Sequence, residues 1–261
     1  MRDGSHSRKP WRSQREMDRF SDSAGVPWEG REFSQNKWSD DSGEAPAALA
    51  AALSKPVDKA LLHTALLDSR LLIPLVAELG ESAEGAHGQV VDKSADLAIV
   101  AVATPDGQTA IPAFSSVAAM AAWKPEARPV PVEARKVALA AASESHSRVV
   151  LDPAGAAIAI RRPQIEALAK GESWEPPHRA LWVREHAQVA ASGLNPITSI
   201  DLFDGDPDCN LAHAELLIQI GMRPSIRPEE LEELLTAFTT SLRTEEFQQK
   251  VDSIGYRLVV A

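Results

Sequence analysis

The stretch that decides the fold is Asp106-Gly107-Gln108-Thr109-Ala110-Ile111-Pro112-Ala113-Phe114-Ser115-Ser116. Its Asp-Gly pair gives the backbone freedom that a tight turn needs, and the apolar residues that follow are typical of a strand. The apolar run over residues 97–103, before the turn, supplies the other arm of a hairpin. The pattern predicts architecture and does not indicate a chemical reaction.

Outward from this hairpin, strand patterns and helix patterns alternate along the chain. The expected elements are a helix over 57–67, a strand over 70–76, a helix from Ser115 or Ser116 to Trp123, a helix over 133–144, two strands joined by a turn over 148–160, and a helix from Pro163 to Lys170. Serine hydroxyls cap helices, proline suits the first helical turn and Gly171 is a typical stop. Hairpins mixed with helices predict an α+β fold, with a mixed sheet and flanking helices.

A second, smaller α+β domain is expected after the proline-rich patch Trp174-Glu175-Pro176-Pro177. Its expected elements are a hairpin over 180–191, a strand over 216–221, a helix over 228–254 and a closing strand over 256–260. The domain division is then an N-terminal arm over 1–46, a first α+β domain over 47–174 and a second over 175–261.

The N-terminal arm over 1–46 is rich in Ser, Asp, Gly and Pro, a composition typical of extended or flexible chain. Trp28 and Phe33 are large apolar groups that a fully solvated tail has little reason to carry. Two interpretations remain open. The arm either docks on its own domain, which we favour, or presents a motif that binds a partner.

Composition excludes several classes of function. The formal net charge of −10 repels phosphate backbones, which argues against nucleic-acid binding. No run of residues approaches the roughly 20 consecutive apolar residues of a transmembrane helix, so no membrane association is expected. Cys209 is the only cysteine, which rules out an intramolecular disulfide and favours a reducing, cytoplasmic location.

Motifs of known chemistry are missing from the sequence: it has no hydrolase elbow, Walker phosphate loop or dinucleotide fingerprint. The segment from Asp204 to Asn210, with Glu215 eleven residues after Asp204, resembles a calcium loop in spacing, but Cys209 stands where that loop needs glycine and Pro207 stiffens it. An acidic, solvated turn is therefore favoured, and Cys209 is expected to be a passive thiol. We expect no catalytic residue, no metal site and no cofactor.

Arg161 and Arg162 are the strongest polar candidates for a binding site, because they stand at a strand-to-helix junction where guanidinium groups and helix amides favour anions. If Ser115, Ser116 and Asp152 share that rim, the site could hold a small polar ligand or an acidic segment of a partner. The alternative is that the arginines pair with Asp152 or nearby glutamates and fix the loop.

An apolar patch is the other kind of binding surface that the sequence could form. A patch around Trp28, Phe114 and Trp123 would indicate binding of a protein partner.

Four short motifs, taken in order, resemble the SseB family of bacterial proteins, which is named for enhanced serine sensitivity. They are Pro27-Trp28-Glu29-Gly30-Arg31, Asp106-Gly107 with Ile111-Pro112-Ala113-Phe114-Ser115-Ser116, Leu151-Asp152-Pro153-Ala154-Gly155 and Arg161-Arg162-Pro163. The resemblance implies no established catalytic residues. It therefore favours a noncatalytic module that binds a protein partner or a small polar ligand. The alternative, suggested by the family name, is an enzyme or enzyme-like regulator in serine or sulfur amino-acid metabolism.

Overall fold

A computed structural model of the chain describes residues 38–75, 101–143, 148–224 and 226–260. The chain divides into two units, Met1–Asp41 and Ser42–Ala261. Of the first unit, residues 38–41 are described and form a turn in which the Asp41 amide donates to the Trp38 carbonyl at 3.2 Å. Most of the predicted arm, including Trp28 and Phe33, lies outside the described residues.

The second unit contains eight helices and nine strands within its described residues. The helices are α1 (Ala47–Ala52), α2 (Lys59–Leu67), α3 (Val117–Trp123), α4 (Ala134–Ser143), α5 (Arg162–Lys170), α6 (Leu181–Ala191), α7 (Pro228–Leu242) and α8 (Glu245–Lys250). The strands are β1 (Arg70–Leu75), β2 (Val102–Ala103), β3 (Thr109–Ala113), β4 (Arg128–Glu133), β5 (Arg148–Leu151), β6 (Ile158–Arg161), β7 (Ile197–Asp204), β8 (Leu216–Met222) and β9 (Ile254–Val260). The fold is α+β, as predicted.

Of the hairpin that opened the sequence analysis, β2 and β3 pair antiparallel on either side of the Asp106-Gly107 turn, while residues 97–100 of its expected first arm lie outside the described residues. Gly107 has a φ of +78°, a conformation that glycine adopts without a steric penalty. β3 then pairs in parallel with β5, and β5 pairs antiparallel with β6, which gives the order β2-β3-β5-β6.

A second, two-stranded sheet of β1 and β4 joins this one through a single bridge between Leu72 and Phe114. The amide of each of these two residues donates to the carbonyl of the other, at 2.8 and 2.9 Å. Pro74 lies opposite Pro129 in this sheet, so two residues that cannot donate to the ladder face each other. The first hydrophobic core forms where α2, α4 and α5 pack against the strands.

The three-stranded sheet in the C-terminal part has the order β7-β8-β9. β8 lies in the middle, antiparallel to β7 and parallel to β9, and the parallel connection runs through α7 and α8. Alternate residues of β8, namely Leu216, Ile218 and Ile220, are fully buried in a second core beneath α6 and α7. The other face of the sheet exposes Phe203, over which Arg257 stacks at 5.2 Å.

Two expectations for the C-terminal part were wrong, and one strand was missed. Residues 181–191 form helix α6 instead of a hairpin, because Val183, Ala187 and Ala190 recur at helical spacing and are the ones buried. Strand β7 was not anticipated at all. The helix expected over 228–254 ends at Leu242, and Thr244 caps the separate helix α8 by accepting from the Phe247 amide at 3.3 Å.

Ser42–Ala261 packs as one compact unit, and the boundary at residues 174 and 175 stays a prediction. Within the part of the chain that the structure describes, no helix combines the length and the apolar character needed to cross a membrane.

Candidate functional site

Ser115 and Asp152 lie together, as the sequence suggested, but both are buried and bonded to each other. Asp152 accepts from the Ser115 amide at 2.8 Å and from the Ser115 hydroxyl at 2.6 Å. The Ser115 carbonyl in turn accepts from the Arg70 guanidinium. Ser116 caps α3 by accepting from the Ala119 amide at 3.1 Å. These hydroxyl and carboxylate groups fix the ends of β3 and β5.

Arg161 is also buried, and its guanidinium lies among acceptors from the C-terminal part of the chain. It donates to Asp206 at 2.6 Å and to Asp252 at 3.0 Å. It also donates to the His213 carbonyl at 2.6 Å. Arg148 donates to both oxygens of the same Asp252 at 2.8 and 2.9 Å, a bidentate geometry. We call Arg148, Arg161, Asp206 and Asp252 the arginine joint, because they join β5 and β6 to the loops before β8 and β9.

The arginine joint and the Ser115–Asp152 pair do not form one rim. In the β5–β6 hairpin, Arg148 pairs with Arg161 at one end and Leu151 pairs with Ile158 at the other. Asp152 follows the second end, so it lies one strand length away from Arg161. The structure therefore corrects the proposed shared rim. It favours the alternative in which an arginine is fixed by carboxylates, although those are Asp206 and Asp252 rather than Asp152.

Glu215 belongs to the same region, and the sequence suggested no role for it beyond the last position of the calcium-like spacing. It is 3% exposed, and its carboxylate accepts from the Asp252 amide at 2.7 Å. Burial raises the pKa of Glu215 to about 7, and the nearby charge of Asp252 acts in the same direction. The local sequence gives no signal for this, because the groups that bury Glu215 come from distant segments.

The calcium-like segment is a turn, as expected, but it is not a solvated one, because Asp206 is 1% exposed and the carboxylates of Asp204 and Asp206 are used internally. Asp206 accepts from the amides of Asn210 and Leu211 as well as from Arg161. Asp204 pairs with Lys59 at 2.5 Å. Among the described residues no group of acidic, histidine or cysteine side chains could hold a metal ion.

The apolar patch expected around Phe114 and Trp123 is a small core. Phe114 is fully buried and its ring centroid lies 5.3 Å from that of Trp123, in a cluster with Leu72 and Met120. Phe114 is therefore not available to a partner. Trp28, the third member of the expected patch, lies outside the described residues.

Arg162 points in a different direction from Arg161, toward the end of α8. Its guanidinium donates to the Gln248 carbonyl at 2.6 Å and the Gln249 carbonyl at 3.2 Å. It also pairs with Glu166, one turn along α5, at 3.0 Å. The carbonyls at the end of a helix lack partners within it, so Arg162 anchors α8 to α5.

This anchor borders a cleft that no sequence motif indicated, which we call the tryptophan cleft. Its volume is about 300 Å³, at the lower end of the range for small-molecule sites. It is lined by Pro163, Glu166, Ala167, Lys170, Glu172, Ser173, Trp174, Glu175, Trp182, Gln249 and Lys250. The lining therefore comes from α5, the loop after it, α6 and α8.

Two half-buried indoles dominate this cleft. Trp182 lies edge-on to Phe247, with ring centroids 5.9 Å apart, and the Lys250 ammonium lies 4.9 Å from its ring centroid. Trp174 lies 5.9 Å from the ring of His63. A ring nitrogen of His63 lies 2.8 Å from the Glu172 carbonyl, which ties the loop carrying Trp174 to α2. Both indoles are thus held in place by contacts outside the cleft.

Comparison with known proteins gives one match. Residues 46–167 match the model of the SseB protein N-terminal domain. No curated protein and no solved structure matches the chain. The matched residues run from Pro46, just before α1, to Ala167 in α5, and they contain the hairpin, the Ser115–Asp152 pair and both candidate arginines. The match therefore assigns residues 46–167, a little under half of the chain, to the SseB protein N-terminal domain.

Proposed function

We propose that this protein is a noncatalytic, cytoplasmic binding module that holds a small polar ligand or a short segment of a protein partner in the tryptophan cleft. The observation that carries the proposal is the pair of half-buried indoles, Trp174 and Trp182, at a concave site with charged side chains around it. Aromatic walls with a few convergent polar groups are typical of binding sites.

The polar groups elsewhere support binding over catalysis. Ser115, Asp152, Arg161 and Asp206 are each less than 8% exposed and bonded to one another or to neighbouring backbone. Groups used in this way stabilise the fold, and a general base needs to reach a substrate proton. The tryptophan cleft, by contrast, presents exposed carboxylates and ammonium groups to solvent.

The test is a search for ligands that depend on the cleft. The wild-type protein and the Trp182→Ala variant are each panned against a random peptide-display library, and each is examined by native mass spectrometry after exposure to a mixture of polar metabolites. We expect binders of the wild type that lose at least tenfold in affinity in Trp182→Ala and in Trp174→Ala.

Val189→Ala is the matched control, because Val189 lies on the same helix as Trp182 and is 71% exposed. It should bind as the wild type does, and circular dichroism should show that all variants are folded. Binders that are indifferent to both tryptophans, or turnover of a metabolite by the wild type, would contradict the proposal.

A further inference from the structure

The Lys250 ammonium in the tryptophan cleft already marks where a cation fits. It lies over the face of Trp182, 4.9 Å from the ring centroid, within the range of a cation–π interaction. It also pairs with Glu246 at 2.7 Å on the exposed side of α8. Lys250 is 52% exposed, so its ammonium can be solvated when it leaves the ring face.

Resting on the proposed function, we propose that the tryptophan cleft is a site for an external cationic group, a guanidinium or ammonium, which stacks on Trp182 in place of Lys250 and pairs with the carboxylates of Glu172 and Glu175. The cation belongs either to a small molecule or to an arginine or lysine side chain of a partner, since the recognising chemistry is the same. Lys250 then acts as an internal competitor for the ring face.

The charges around the cleft support a cation over an anion. Three glutamates and two lysines line it. Glu166 is paired with Arg162 and Lys250 with Glu246, while the carboxylates of Glu172 and Glu175 form no ion pair with any described residue. The remaining lysine of the lining, Lys170, carries one positive charge against the two negative charges of these carboxylates. The net charge that a ligand would meet in the cleft is therefore negative.

The charge of the whole chain also favours a cationic ligand over an anionic one. The net charge of the chain is −10, which raises the local concentration of cations around the protein. Arg162 adds no competing charge, because its guanidinium is committed to Glu166 and to the end of α8. A volume of about 300 Å³ suits one amino-acid side chain or a small amine.

The first experiment measures binding of three probes by the shift of the Trp182 indole N–H resonance in ¹H–¹⁵N spectra. The probes are N-acetyl-arginine amide, tetramethylammonium and N-acetyl-glutamate amide. We expect saturable shifts with the two cations, weakening as salt is raised, and none with the glutamate amide. Equal binding of the glutamate amide would overturn the cation site.

Two variants separate the roles of the ring face and the carboxylates. Lys250→Gln removes the internal competitor, so affinity for N-acetyl-arginine amide should rise about three- to tenfold. The double variant Glu172→Gln/Glu175→Gln should lower that affinity at least fivefold. Lys170→Gln removes a charge from the same cleft without uncovering Trp182, so its gain should be smaller than that of Lys250→Gln.

An unchanged affinity in Lys250→Gln overturns the idea of an internal competitor, and with it this proposal. A further probe, a short peptide with an arginine at its centre, distinguishes the source of the cation. If the peptide binds much more tightly than N-acetyl-arginine amide, the ligand is a protein partner. If the two affinities are equal, the ligand is a small molecule. Selected binders that need Trp182 but carry no cation would overturn the cation site while leaving the proposed function intact. Failure of every ligand to depend on Trp182 would overturn both.

Discussion

Arg161 and Arg162 are neighbours in the chain, yet Arg161 is 6% exposed among carboxylates and the Arg162 side chain is 34% exposed. Arg161 is the last residue of β6, so its side chain follows the strand's alternation into the arginine joint. Arg162 is the first residue of α5 and follows the helix instead. The sequence could predict the junction and the polar character of both residues. It could not predict the partners of Arg161, which lie 45 and 91 residues away.

Arg161→Ala should be strongly destabilising, because it leaves Asp206 buried without its charged partner and removes one of the two arginines that hold Asp252. We expect a loss of about 3–5 kcal/mol in the free energy of unfolding, measured by urea denaturation. Arg162→Ala removes a partly exposed ion pair and two bonds to the end of α8, and should cost less, about 1–2 kcal/mol. Similar losses in the two variants would show that the arginine joint does not stabilise the fold.

Glu215 should make stability fall as pH rises. Its pKa is about 7 in the folded protein against an ordinary value of 4.5, so the folded state binds more protons than the unfolded state between those values. The stabilisation from the protonated acid is complete below pH 4.5 and is lost as the pH rises through 7. Between pH 5 and pH 8 the ionisation of Glu215 should lower the free energy of unfolding by about 2 kcal/mol.

Glu215→Gln removes that titration while keeping an acceptor for the Asp252 amide. The free energy of unfolding of the variant, relative to wild type, should therefore improve between pH 5 and pH 8 by about the same 2 kcal/mol. Glu229→Gln, at an exposed position on α7, controls for a general loss of negative charge. A difference between variant and wild type that does not change with pH would contradict the assignment.

At the scale of elements, α8 is short and depends on its anchors. It has six residues, too few to be stable as an isolated helix, and Arg162 holds its last carbonyls. Arg162→Ala should therefore speed amide exchange in Glu245–Lys250 at least tenfold while leaving α5 protected, as measured by hydrogen–deuterium exchange.

The control for this experiment is Arg227→Ala, which removes an exposed ion pair to Glu230 at the start of α7. It should leave exchange in α8 unchanged. Unaltered protection of α8 in Arg162→Ala would mean that Phe247, buried beneath it, holds the helix without the arginine.

Elements with strong local signals could be predicted from the sequence, and those decided by tertiary packing could not. One or two residues are enough to predict each of three features: the Asp-Gly turn, the Ser116 cap and the end of α5 at Gly171. Strand β7 lacks such a signal, because only Leu202 along it is buried and its partner β8 supplies the pairing. The end of α7 is set by Thr244, whose capping role competes with an apolar pattern that continues past it.

At the scale of the molecule, the first hydrophobic core is completed from outside the SseB N-terminal domain. Cys209 belongs to the loop between β7 and β8, but it is buried in that first core, and its carbonyl accepts from the Ala159 amide of β6 at 2.7 Å. The arginine joint adds Asp206 and Asp252 from the same C-terminal part.

A fragment that ends at residue 174 should therefore be unstable. It would leave Arg148 and Arg161 in the β5–β6 hairpin without Asp206 and Asp252, and would uncover the edge of β6. We expect no cooperative thermal transition for residues 42–174 by circular dichroism, whereas residues 42–261 should unfold cooperatively. A sharply melting fragment would instead support the two-domain division that the sequence predicts.

The candidate site shows the limit of sequence reasoning at this scale. Trp174, Trp182 and Lys250 come from three segments that carry no shared motif, and only the packing of α5, α6 and α8 brings them together. Arg162 was a candidate from the sequence and does border the cleft, but as the anchor of α8 rather than as a ligand contact.

The burial of Cys209 also makes its reactivity a measure of how the structure opens. It is the only cysteine, it is 3% exposed, and burial raises the pKa of its thiol to about 11, so the intact protein should react slowly with thiol reagents. Each local opening that separates the loop between β7 and β8 from β6 would briefly expose the thiol to solvent. At a reagent concentration high enough for modification to outpace reclosing, the rate at which the chain gains one mass increment therefore measures how often this loop separates from β6.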